Sequence, residues 1–512
     1  MHVTTRRLAA RTGIAALAGA LLTHCGSSSS LTGSADGSVA VDATGIVPDG
    51  SASIDASASS GKPNVIFVLT DDLSWNLVEF MPHVRELQQK GMTFSHYYVT
   101  DSLCCPSRSS IFTGKLPHDT QVFTNGGTDG GYAQFERVAD NATQTFATTL
   151  HDAGYRAGMM GKYLNGYEPA LNQADPGWTE WDVAGNGYPE FDYTLNQNGT
   201  LKSYGGAPND YLVDVQSGLA QAFVAGGAPF VLEVATFAPH APYTPAPRNV
   251  GQFTEKVPRT PAFNTPNVNP PQWLEEHGQL SRAQVQAMDT GFNLRVEAVQ
   301  SVDDMIGALW AELVQLGLDE STYIVFSSDN GYHMGDHELL AGKQTAFDTD
   351  INVPLIVVGP GVPAGVTVDQ IAENIDLCPT FAEIAGTPPP AKADGHSLLA
   401  LWHGGTVSDW REAALIEHHG PDLAPMDPDD PDNEPAGKGP MPDSYEAIRM
   451  QDSVYVEYQN GDTEYYDLTT DPYEMTNTVQ SLPAAMAQHF HAVLSAMQTC
   501  HEADDCWAAS KL

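Results

Sequence analysis

Two short polar pairs follow apolar, β-rich runs of the sequence. Asp71 and Asp72 follow the run from Val65 to Leu69, one residue after its end, and Asp329 and Asn330 follow "TYIVFSS". Three carboxylates and one amide oxygen, without histidine or thiolate, form a ligand set that suits Ca²⁺ or Mg²⁺ better than zinc. Either pair alone is more typical of a helix cap or a turn. Two such pairs after two predicted buried strands favour a divalent metal site, with Ca²⁺ preferred.

Two adjacent cysteines in "SLCCPSRSSIFTG" are a second candidate for chemistry. Cys104 and Cys105 are poorly placed to bridge each other, because a disulfide requires a particular Cα spacing and side-chain direction. A chemical use for at least one of them is therefore the working hypothesis. Cys500 and Cys506 in "CHEADDC" are expected to form a disulfide in an oxidising compartment, with two free thiols as the alternative. Cys378 lies among apolar residues and is predicted to be a small buried hydrophobe.

The elements that must position these residues alternate between buried strands and helices. Continuous apolar runs beginning near Val65, Pro229, Thr322 and Val353 are typical of strands covered on both faces. Helical patterns such as "MPHVRELQQKG" and "TTLHDAGYRAG" lie between them. The alternation predicts an α/β fold with a mostly parallel sheet flanked by helices. Because functional residues collect at the carboxyl ends of such strands, "FVLEVATFAPH" should bring His240 to the two polar pairs.

A smaller unit is predicted near the C-terminus. Residues 421–442 are rich in Pro and Asp, which predicts a long surface loop. The alternating pattern after this loop contains Asn460-Gly461, a strong hairpin signal, and a helix is expected around residues 483–498. We therefore divide the chain into an export signal, 1–25; a Ser/Ala/Gly-rich disordered tether, 26–61; a catalytic domain, 62–420; the loop, 421–442; and an α+β C-terminal subdomain built on an antiparallel sheet, 443–512.

The N-terminus has the features of an export signal. Three arginines precede an apolar stretch, residues 14–22, that is too short to span a bilayer comfortably. Leu22 lies three residues before Cys25, as in a bacterial lipoprotein cleavage box, although His24 replaces the small residue expected there. We expect an exported protein that is periplasmic, secreted or at the cell surface, with a lipid anchor at Cys25 as a further expectation.

The charge balance excludes one class of partner. Lys and Arg number 23 and Asp and Glu number 64, which gives a net charge of −41. Such an excess argues against nucleic acid, because binding a phosphate backbone requires a basic surface. It also repels anionic polymers at long range, unless the functional site is locally positive. No later run is apolar enough for a membrane span, so membrane contact is expected only through the N-terminal anchor.

The stretch around the adjacent cysteines resembles the signature of the sulfatase family, C-x-P-S-R followed by an apolar pair, Thr and Gly. The match comprises Cys104, Pro106, Ser107, Arg108, Ile111, Phe112, Thr113 and Gly114. The resemblance implies an alkaline phosphatase-like fold. It also implies oxidation of Cys104 to formylglycine by a dedicated formylglycine-generating enzyme, with Cys105 at the variable position. The alternative, a buried structural cysteine before a helix, would require this long match to be accidental.

Further segments extend the resemblance over most of the chain. "KPNVIFVLTDDLSW" resembles the family's metal-binding aspartates, and "FAPHAPYTPAPR" resembles the segment with a catalytic histidine. "SDNGYHMGDHELLAGKQ" resembles the segment with the remaining metal ligands and an active-site lysine. The implied metal ligands are Asp71, Asp72, the group derived from Cys104, Asp329 and Asn330, and the implied catalytic residues are Cys104, Arg108, Lys162, His240 and Lys343.

The stretch "MMGKYLNGY" departs from the common pattern. Many sulfatases have G-K-W-H, and here Lys162 matches the lysine while Leu164 replaces the histidine. This stretch, "TGKLPHDTQVFTNGGT" and "APHAPYT" are similar to the N-acetylglucosamine-6-sulfatase and extracellular glucosamine endosulfatase branch. The replacement is therefore interpreted as a feature of this branch. With this histidine replaced, the sequence does not identify the residue that protonates the leaving group.

The resemblance implies a covalent mechanism for sulfate ester hydrolysis. One hydroxyl of the hydrated aldehyde attacks sulfur, and the other later expels sulfate. The metal lowers the pKa of this hydrate and spreads developing charge. Arg108 is expected to hold the hydrate, Lys162 and Lys343 to neutralise sulfate oxygens, and His240 to protonate the leaving alcohol. Sulfated sugars, including glucosamine 6-sulfate, and aryl sulfates are the expected substrates.

Two other functions are open from the sequence. A phosphomonoester, phosphodiester or phosphonate hydrolase of the same superfamily would bind an ester of similar shape, although the signature favours sulfate. A non-catalytic surface glycan-binding protein would not require the retained Cys104 and Arg108. Three further histidines are weaker candidates: His118 either lines the pocket or caps the next turn, and His333 and His337 have no assigned role.

Overall fold

The apolar run from Asn64 to Thr70 forms a central strand of a ten-stranded sheet. The computed structural model of the protein describes residues 61–275, 278–420 and 441–512. The predicted export signal with Cys25, nearly all of the tether and most of the Pro/Asp-rich loop lie outside these residues. The described strands are β1 (Asn64–Thr70), β2 (Met92–Phe94), β3 (Tyr97–Tyr98), β4 (Arg156–Lys162), β5 (Glu180–Ala184), β6 (Thr194–Gln197), β7 (Thr200–Ser203), β8 (Phe230–Ala235), β9 (Thr322–Ser328), β10 (Leu355–Val358), β11 (Val366–Val368), β12 (Ala372–Glu373), β13 (Ala413–His418), β14 (Tyr445–Met450), β15 (Ser453–Tyr458) and β16 (Thr463–Asp467).

Helices cover both faces of this sheet. The described α-helices are α1 (Trp75–Val78), α2 (Pro82–Lys90), α3 (Cys104–Thr113), α4 (Pro117–Thr120), α5 (Gly131–Arg137), α6 (Phe146–Asp152), α7 (Leu212–Ala225), α8 (Gln272–Glu275), α9 (Arg282–Leu316), α10 (Asp348–Ile351), α11 (Leu377–Ile384), α12 (Leu399–Trp402), α13 (Ala484–Met497) and α14 (Ala503–Ala509). Among the described residues, no helix combines the length and the apolar character needed to cross a bilayer.

The strand order of the large sheet is β11-β2-β10-β9-β1-β8-β4-β5-β6-β7. Only β10 and β6 pair antiparallel with both of their neighbours, and the remaining strands run in one direction. The predicted α/β fold with a mostly parallel sheet is confirmed. The run beginning at Val353 is a buried strand as expected, but it enters the sheet in the opposite direction to β9.

The alternation of side chains along β1 divides the core into two layers. Val65, Phe67 and Leu69 pack in the same apolar cluster as residues of α3, α6 and α11. Ile66 and Val68 point to the other face, where they pack with residues of α2, α7 and α9. Because both faces of β1 are buried in this way, its carboxyl end is the part of the strand that is open to chemistry.

The helix that begins at Cys104 is buried along its whole length. It ends at Gly114, whose φ of 73° is in the left-handed region that favours glycine. A side chain at Gly114 would come within 3.3 Å of Ala393, Cys378 and the Ile375 carbonyl, so glycine also permits close packing. Cys378 is buried in this layer, as predicted.

The C-terminal region forms the predicted small antiparallel sheet, with strand order β13-β14-β15-β16. Gly461, with a φ of 94°, lies in the turn between β15 and β16, which confirms the hairpin. The edge strand β13 comes from the chain before the Pro/Asp-rich loop, so this sheet joins two separate segments. Cys500 and Cys506 form the predicted disulfide.

Candidate active site

The two polar pairs lie side by side because their strands are neighbours. β1 pairs in parallel with β9 on one side and with β8 on the other. The Asp329 N–H donates to the Thr70 carbonyl at 3.0 Å, and the Asp72 N–H donates to Asp329 Oδ1 at 3.1 Å. All of these carboxylates are fully buried. The sheet edge therefore brings together carboxylates that are separated by more than 250 residues in the chain.

The first residue of α3 points to this cluster. Cys104 Sγ lies 3.5 Å from Asp71 Oδ1 and 2.9 Å from Lys343 Nζ. Burial and the nearby Asp71 carboxylate raise the pKa of the Cys104 thiol well above its ordinary value. An unmodified thiol at this position is thus held in its protonated form, which is a poor nucleophile. The geometry favours a chemical use of this position that does not depend on a thiolate.

Three cations pair with the three carboxylates. Arg108 Nε lies 2.8 Å from Asp329 Oδ2, Lys162 Nζ 2.5 Å from Asp71 Oδ2, and Lys343 Nζ 2.6 Å from Asp72 Oδ1. Burial alone would raise the pKa of Asp329, but Arg108 and the two lysines lower it to about 2. Burial and the Asp329 charge raise the pKa of Asp71 to about 6. The three cations thus balance the charge of the three buried carboxylates.

His240 is buried beside the Asp72 carboxylate. Its Nδ1 is 2.9 Å from the Ala241 carbonyl, which can only accept, so Nδ1 carries a proton. Its Nε2 lies 3.5 Å from Asp72 Oδ2. The imidazole also packs on Tyr188, with ring centroids 4.7 Å apart. His240 therefore presents Nε2 to the carboxylate cluster in a fixed orientation.

The donor set fits a hard divalent cation. Ligand atoms of Asp71, Asp72, Cys104 and His240 all lie within 4.8 Å of one another. Asp72 Oδ2 and Asn330 Oδ1 are buried oxygens that accept no hydrogen bond from the described residues. Buried oxygens without a donor are unfavourable unless a ligand satisfies them, and a cation would do so. This group contains Asp71, Asp72 and Cys104 of the predicted ligands, together with His240; Asp329 is not in it but is bonded to it through the Asp72 N–H.

The remaining histidines from the sequence analysis are bonded outside this cluster. His118 Nδ1 is 2.9 Å from Glu417 Oε2, and its Nε2 is 2.9 Å from the Cys500 carbonyl. His333 pairs with Asp350. His337 stacks on Phe347, and burial lowers its pKa to about 3. His118 thus connects α4 to the C-terminal region, and the contacts of the other two stabilise the loop before α10.

Two residues of this region have no recognisable signal in the sequence. Tyr188 lies between the aromatic face of His240 and the ammonium of Lys162, which is 4.9 Å from the centre of its ring. Arg295, from α9, donates through Nη2 to the Asp72 carbonyl. Tyr188 comes from an irregular loop, and Arg295 from the middle of a long helix. Only the tertiary structure brings them to the site.

The buried Leu164 occupies the chain position where many sulfatases have a histidine. The next residue, Asn165, donates through Nδ2 to Tyr188 Oη at 3.2 Å. Since Tyr188 contacts both His240 and Lys162, the residues after β4 still connect to these two candidate site residues, but through a tyrosine and an amide.

The large, mostly parallel sheet flanked by helices, with a C-terminal antiparallel sheet, is the alkaline phosphatase-like fold expected from the sequence. The sulfatase family model matches residues 63–387, and the chain belongs to the sulfatase family, whose members hydrolyse sulfate esters.

Named relatives and a solved structure agree with this assignment. The chain is 32% identical to the human N-acetylglucosamine-6-sulfatase, over 86% of each protein. It is 34% identical to a putative extracellular sulfatase Sulf-1 homolog of Caenorhabditis elegans, over 69% of this chain and 52% of that protein. A solved structure in complex with its substrate, D-glucosamine-2-N,6-O-disulfate, shares the fold, with a TM-score of 0.70 and 24% identity over 85% of this chain and 97% of that one.

Proposed function

We propose that this sulfatase removes the 6-O-sulfate from glucosamine-type sugars, with a formylglycine made from Cys104 and a bound divalent cation. The observation that supports this most directly is the position of Cys104 Sγ, between the Asp71 carboxylate and the Lys343 ammonium. This is the point at which the signature cysteine, the candidate metal ligands and the sulfate-binding cations meet.

The choice of sugar depends on the relatives. Proteins named N-acetylglucosamine-6-sulfatase match nearly the whole chain, and the structure that shares the fold contains a glucosamine with N- and 6-O-sulfate groups. The sequence segments around Lys162 and His240 indicate the same branch. Arg108, Lys162 and Lys343 are balanced by three carboxylates, so a bound divalent cation would supply the excess positive charge that attracts an anionic substrate despite the net charge of −41.

Oxidation of Cys104 by a formylglycine-generating enzyme would supply a hydrated aldehyde as the nucleophile. The aldehyde carbon would be the former Cβ of Cys104, and the Cys104 sulfur marks where oxygen would replace it, at the N-terminus of a ten-residue helix. The positive end of the helix dipole favours negative charge there. The hydrate would also carry a second hydroxyl, which a thiol lacks and which can later expel sulfate.

Asp71, Asp72, Asp329 and Asn330 would hold the divalent cation, for which we favour Ca²⁺ over Mg²⁺ because the ligands are carboxylate and amide oxygens. A cation bound there would polarise sulfate oxygens and lower the pKa of the hydrate. Asp72 Oδ2 and Asn330 Oδ1 accept no hydrogen bonds from the described residues, so both are available as ligands.

The basic residues would then bind and orient the ester. Lys343 and Lys162 are buried at the cluster, so their ammonium groups can neutralise sulfate oxygens where solvent screening is weak. Arg108 donates through Nη1 to the Lys162 carbonyl at 3.0 Å and pairs with Asp329, which fixes its guanidinium beside position 104. Its role is to hold the hydrate.

His240 is the proposed proton donor to the leaving sugar oxygen. The bond from Nδ1 to the Ala241 carbonyl leaves Nε2 as the atom that can deliver a proton. This Nε2 lies 3.5 Å from Asp72 Oδ2, which places the imidazole next to the candidate metal ligands. The contact with Tyr188 holds the ring in this orientation.

The maturation and location of the protein follow from the same proposal. The relatives include extracellular sulfatases, and the disulfide between Cys500 and Cys506 suits an oxidising compartment. Together with the N-terminal sequence, these observations support export, with lipidation at Cys25 as a further expectation.

Mass spectrometry of the peptide that contains position 104, from protein made in the native host, tests the modification. A panel of glucosamine 6-sulfate, N-acetylglucosamine 6-sulfate, a 2-O-sulfated uronic acid and matched aryl sulfate and aryl phosphate tests the reaction. We expect the 6-O-sulfated amino sugars to have the highest kcat/KM. Faster hydrolysis of the aryl phosphate would instead support the phosphoester alternative, and an unmodified cysteine at 104 would support the glycan-binding alternative.

A further inference from the structure

Asp72 has an unusual main-chain conformation for a buried aspartate. Its φ is 63°, in the left-handed region, and the residue is fully buried at the end of β1. The backbone of a residue other than glycine is strained in this region. Such strain persists only where the surrounding structure fixes the conformation. The hydrogen bonds of the Asp72 peptide groups are therefore expected to hold this main-chain conformation.

Both main-chain groups of Asp72 are bonded to other parts of the fold. The N–H donates to Asp329 Oδ1 at 3.1 Å, and the carbonyl accepts from Arg295 Nη2. With these two bonds in place, the side chain faces Lys343 and Asn330, whose polar atoms lie 2.6 Å and 2.7 Å from Asp72 Oδ1. Arg295 is thus one of two supports for the conformation that presents this carboxylate.

The guanidinium of Arg295 forms no ion pair with a carboxylate of the residues that the structure describes. Arg295 is 1% exposed, and its Nε and Nη1 have no hydrogen-bond partner among the described residues. By contrast, the other buried arginines of the described chain, Arg108, Arg411 and Arg449, all pair with carboxylates. A buried cation without a partner is costly for stability, so fold stability alone does not explain why this position has an arginine.

The surroundings of Arg295 hold the guanidinium rather than neutralise it. Its central carbon lies 4.3 Å from the centre of the Tyr332 ring and 5.7 Å from that of Tyr243. Cation–π contact with two aromatic rings offsets part of the desolvation and restricts the plane of the group. The donor at Nη2 is therefore preorganised toward the Asp72 carbonyl.

We propose that Arg295 is a positioning residue for the divalent cation, which acts by holding the strained Asp72 peptide so that its carboxylate is correctly placed as a ligand. This inference rests on the metal site of the proposed function. Outer groups that orient a metal ligand typically change metal affinity about 10- to 100-fold when removed.

The test uses the full chain, stripped with EDTA and titrated with Ca²⁺ in a calorimeter. Arg295→Met keeps the length of the side chain but removes the donor, and we expect Ca²⁺ affinity to fall about 10- to 100-fold. Arg295→Lys keeps a donor on a chain of similar length and should recover most of the affinity. Arg282→Met, at the exposed first position of the same helix, is the matched control and should bind as the wild type does.

Thermal unfolding in excess EDTA separates positioning from packing. We expect Arg295→Met to unfold at the wild-type temperature or above it, because an unpaired buried cation has been removed. The inference is overturned if Arg295→Met binds Ca²⁺ as tightly as the wild type, if Arg295→Lys is as weak as Arg295→Met, or if Arg295→Met loses stability in EDTA. If the wild type binds neither Ca²⁺ nor Mg²⁺, the metal site of the proposed function fails, and this inference fails with it.

Discussion

The Nζ atom of Lys343 lies 2.9 Å from Sγ of Cys104, although the two residues are 239 positions apart in the chain. Lys343 belongs to the segment between β9 and α10, and Cys104 begins α3. The same ammonium lies 2.6 Å from Asp72 Oδ1. One cation therefore connects the signature cysteine to a candidate metal ligand, and both connections depend on the fold.

Replacing Cys104 by alanine should abolish turnover without unfolding the protein. The residue is buried, but loss of one small thiol removes little apolar surface. Without the precursor of formylglycine, hydrolysis of an aryl sulfate should fall by about 10³-fold or more. Initial rates and circular dichroism on the same preparation check both parts.

Cys105→Ala is the matched control for this experiment. Cys105 is also buried, but its side chain packs in the apolar cluster rather than against the carboxylates. The activity of the Cys105→Ala variant should remain within about threefold of that of the wild type, since substitutions outside the site mainly affect stability. Equal loss of activity in both variants would contradict a specific role for position 104.

Removing the divalent cation should lower stability as well as activity. A ligand that binds only the folded state at 100 times its Kd stabilises it by about 2.7 kcal/mol. EDTA should therefore lower the unfolding temperature, and added Ca²⁺ should restore it. Differential scanning calorimetry at several Ca²⁺ concentrations checks this.

Asp72→Asn is expected to lose this Ca²⁺-dependent stabilisation, because the amide retains the shape but not the charge of the ligand. Asp289→Asn, which removes only the partly exposed ion pair with Arg259, should keep it. If Ca²⁺ raises the unfolding temperature of Asp72→Asn as much as that of the wild type, the cation binds at another site.

Asp350 should be needed for correct placement of Lys343. Its carboxylate is 2.9 Å from His333 Nδ1 and accepts from Thr345 N at 3.0 Å, so it connects both ends of the segment that contains Lys343. Asp350→Asn weakens both bonds and should lower kcat/KM for a sulfate ester by about 10- to 100-fold, mainly through KM. Steady-state kinetics that determine kcat and KM separately check this prediction.

The control for Asp350 lies in the same segment. Asp336 is half-buried, and its carboxylate accepts a hydrogen bond from the Thr260 hydroxyl at 2.9 Å. Asp336→Asn should change kcat/KM by less than about threefold. If Asp350→Asn lowers kcat with an unchanged KM, placement of a sulfate-binding lysine is the wrong explanation.

His118 should make stability depend on pH in the alkaline range. Burial lowers the pKa of this imidazole, but the hydrogen bond and charge of Glu417 outweigh it and raise the pKa to about 9, above the ordinary 6.5. The stabilisation is fully present below pH 6.5 and is lost as the pH rises through 9. The expected loss is on the order of 1 to 3 kcal/mol.

Urea unfolding of wild type and His118→Gln at pH 6 and pH 9.5 measures this effect. The variant should be less stable at pH 6 and should show a smaller difference between the two conditions. His491→Gln removes an exposed histidine with its ion pair to Glu457 and should behave as the wild type does. The same pH dependence in wild type and His118→Gln would show that other groups are responsible.

Much of this molecule was determined by local sequence. Continuous apolar runs predicted the buried strands, the signature around Cys104 predicted the family, and Asn460-Gly461 predicted the hairpin. These features depend on residue types at short spacing, because strand periodicity, turn geometry and the signature are properties of adjacent residues.

Only the tertiary structure determined how these parts combine. The pairing of β13 with β14 across the Pro/Asp-rich segment, the antiparallel direction of β10, and the contacts of Tyr188 and Arg295 join residues that are distant in the chain. No local pattern specifies such contacts, since they arise when packing of both sheet faces fixes which side chains meet. The sequence determined which groups are available for chemistry, and the fold decided which of them lie around position 104.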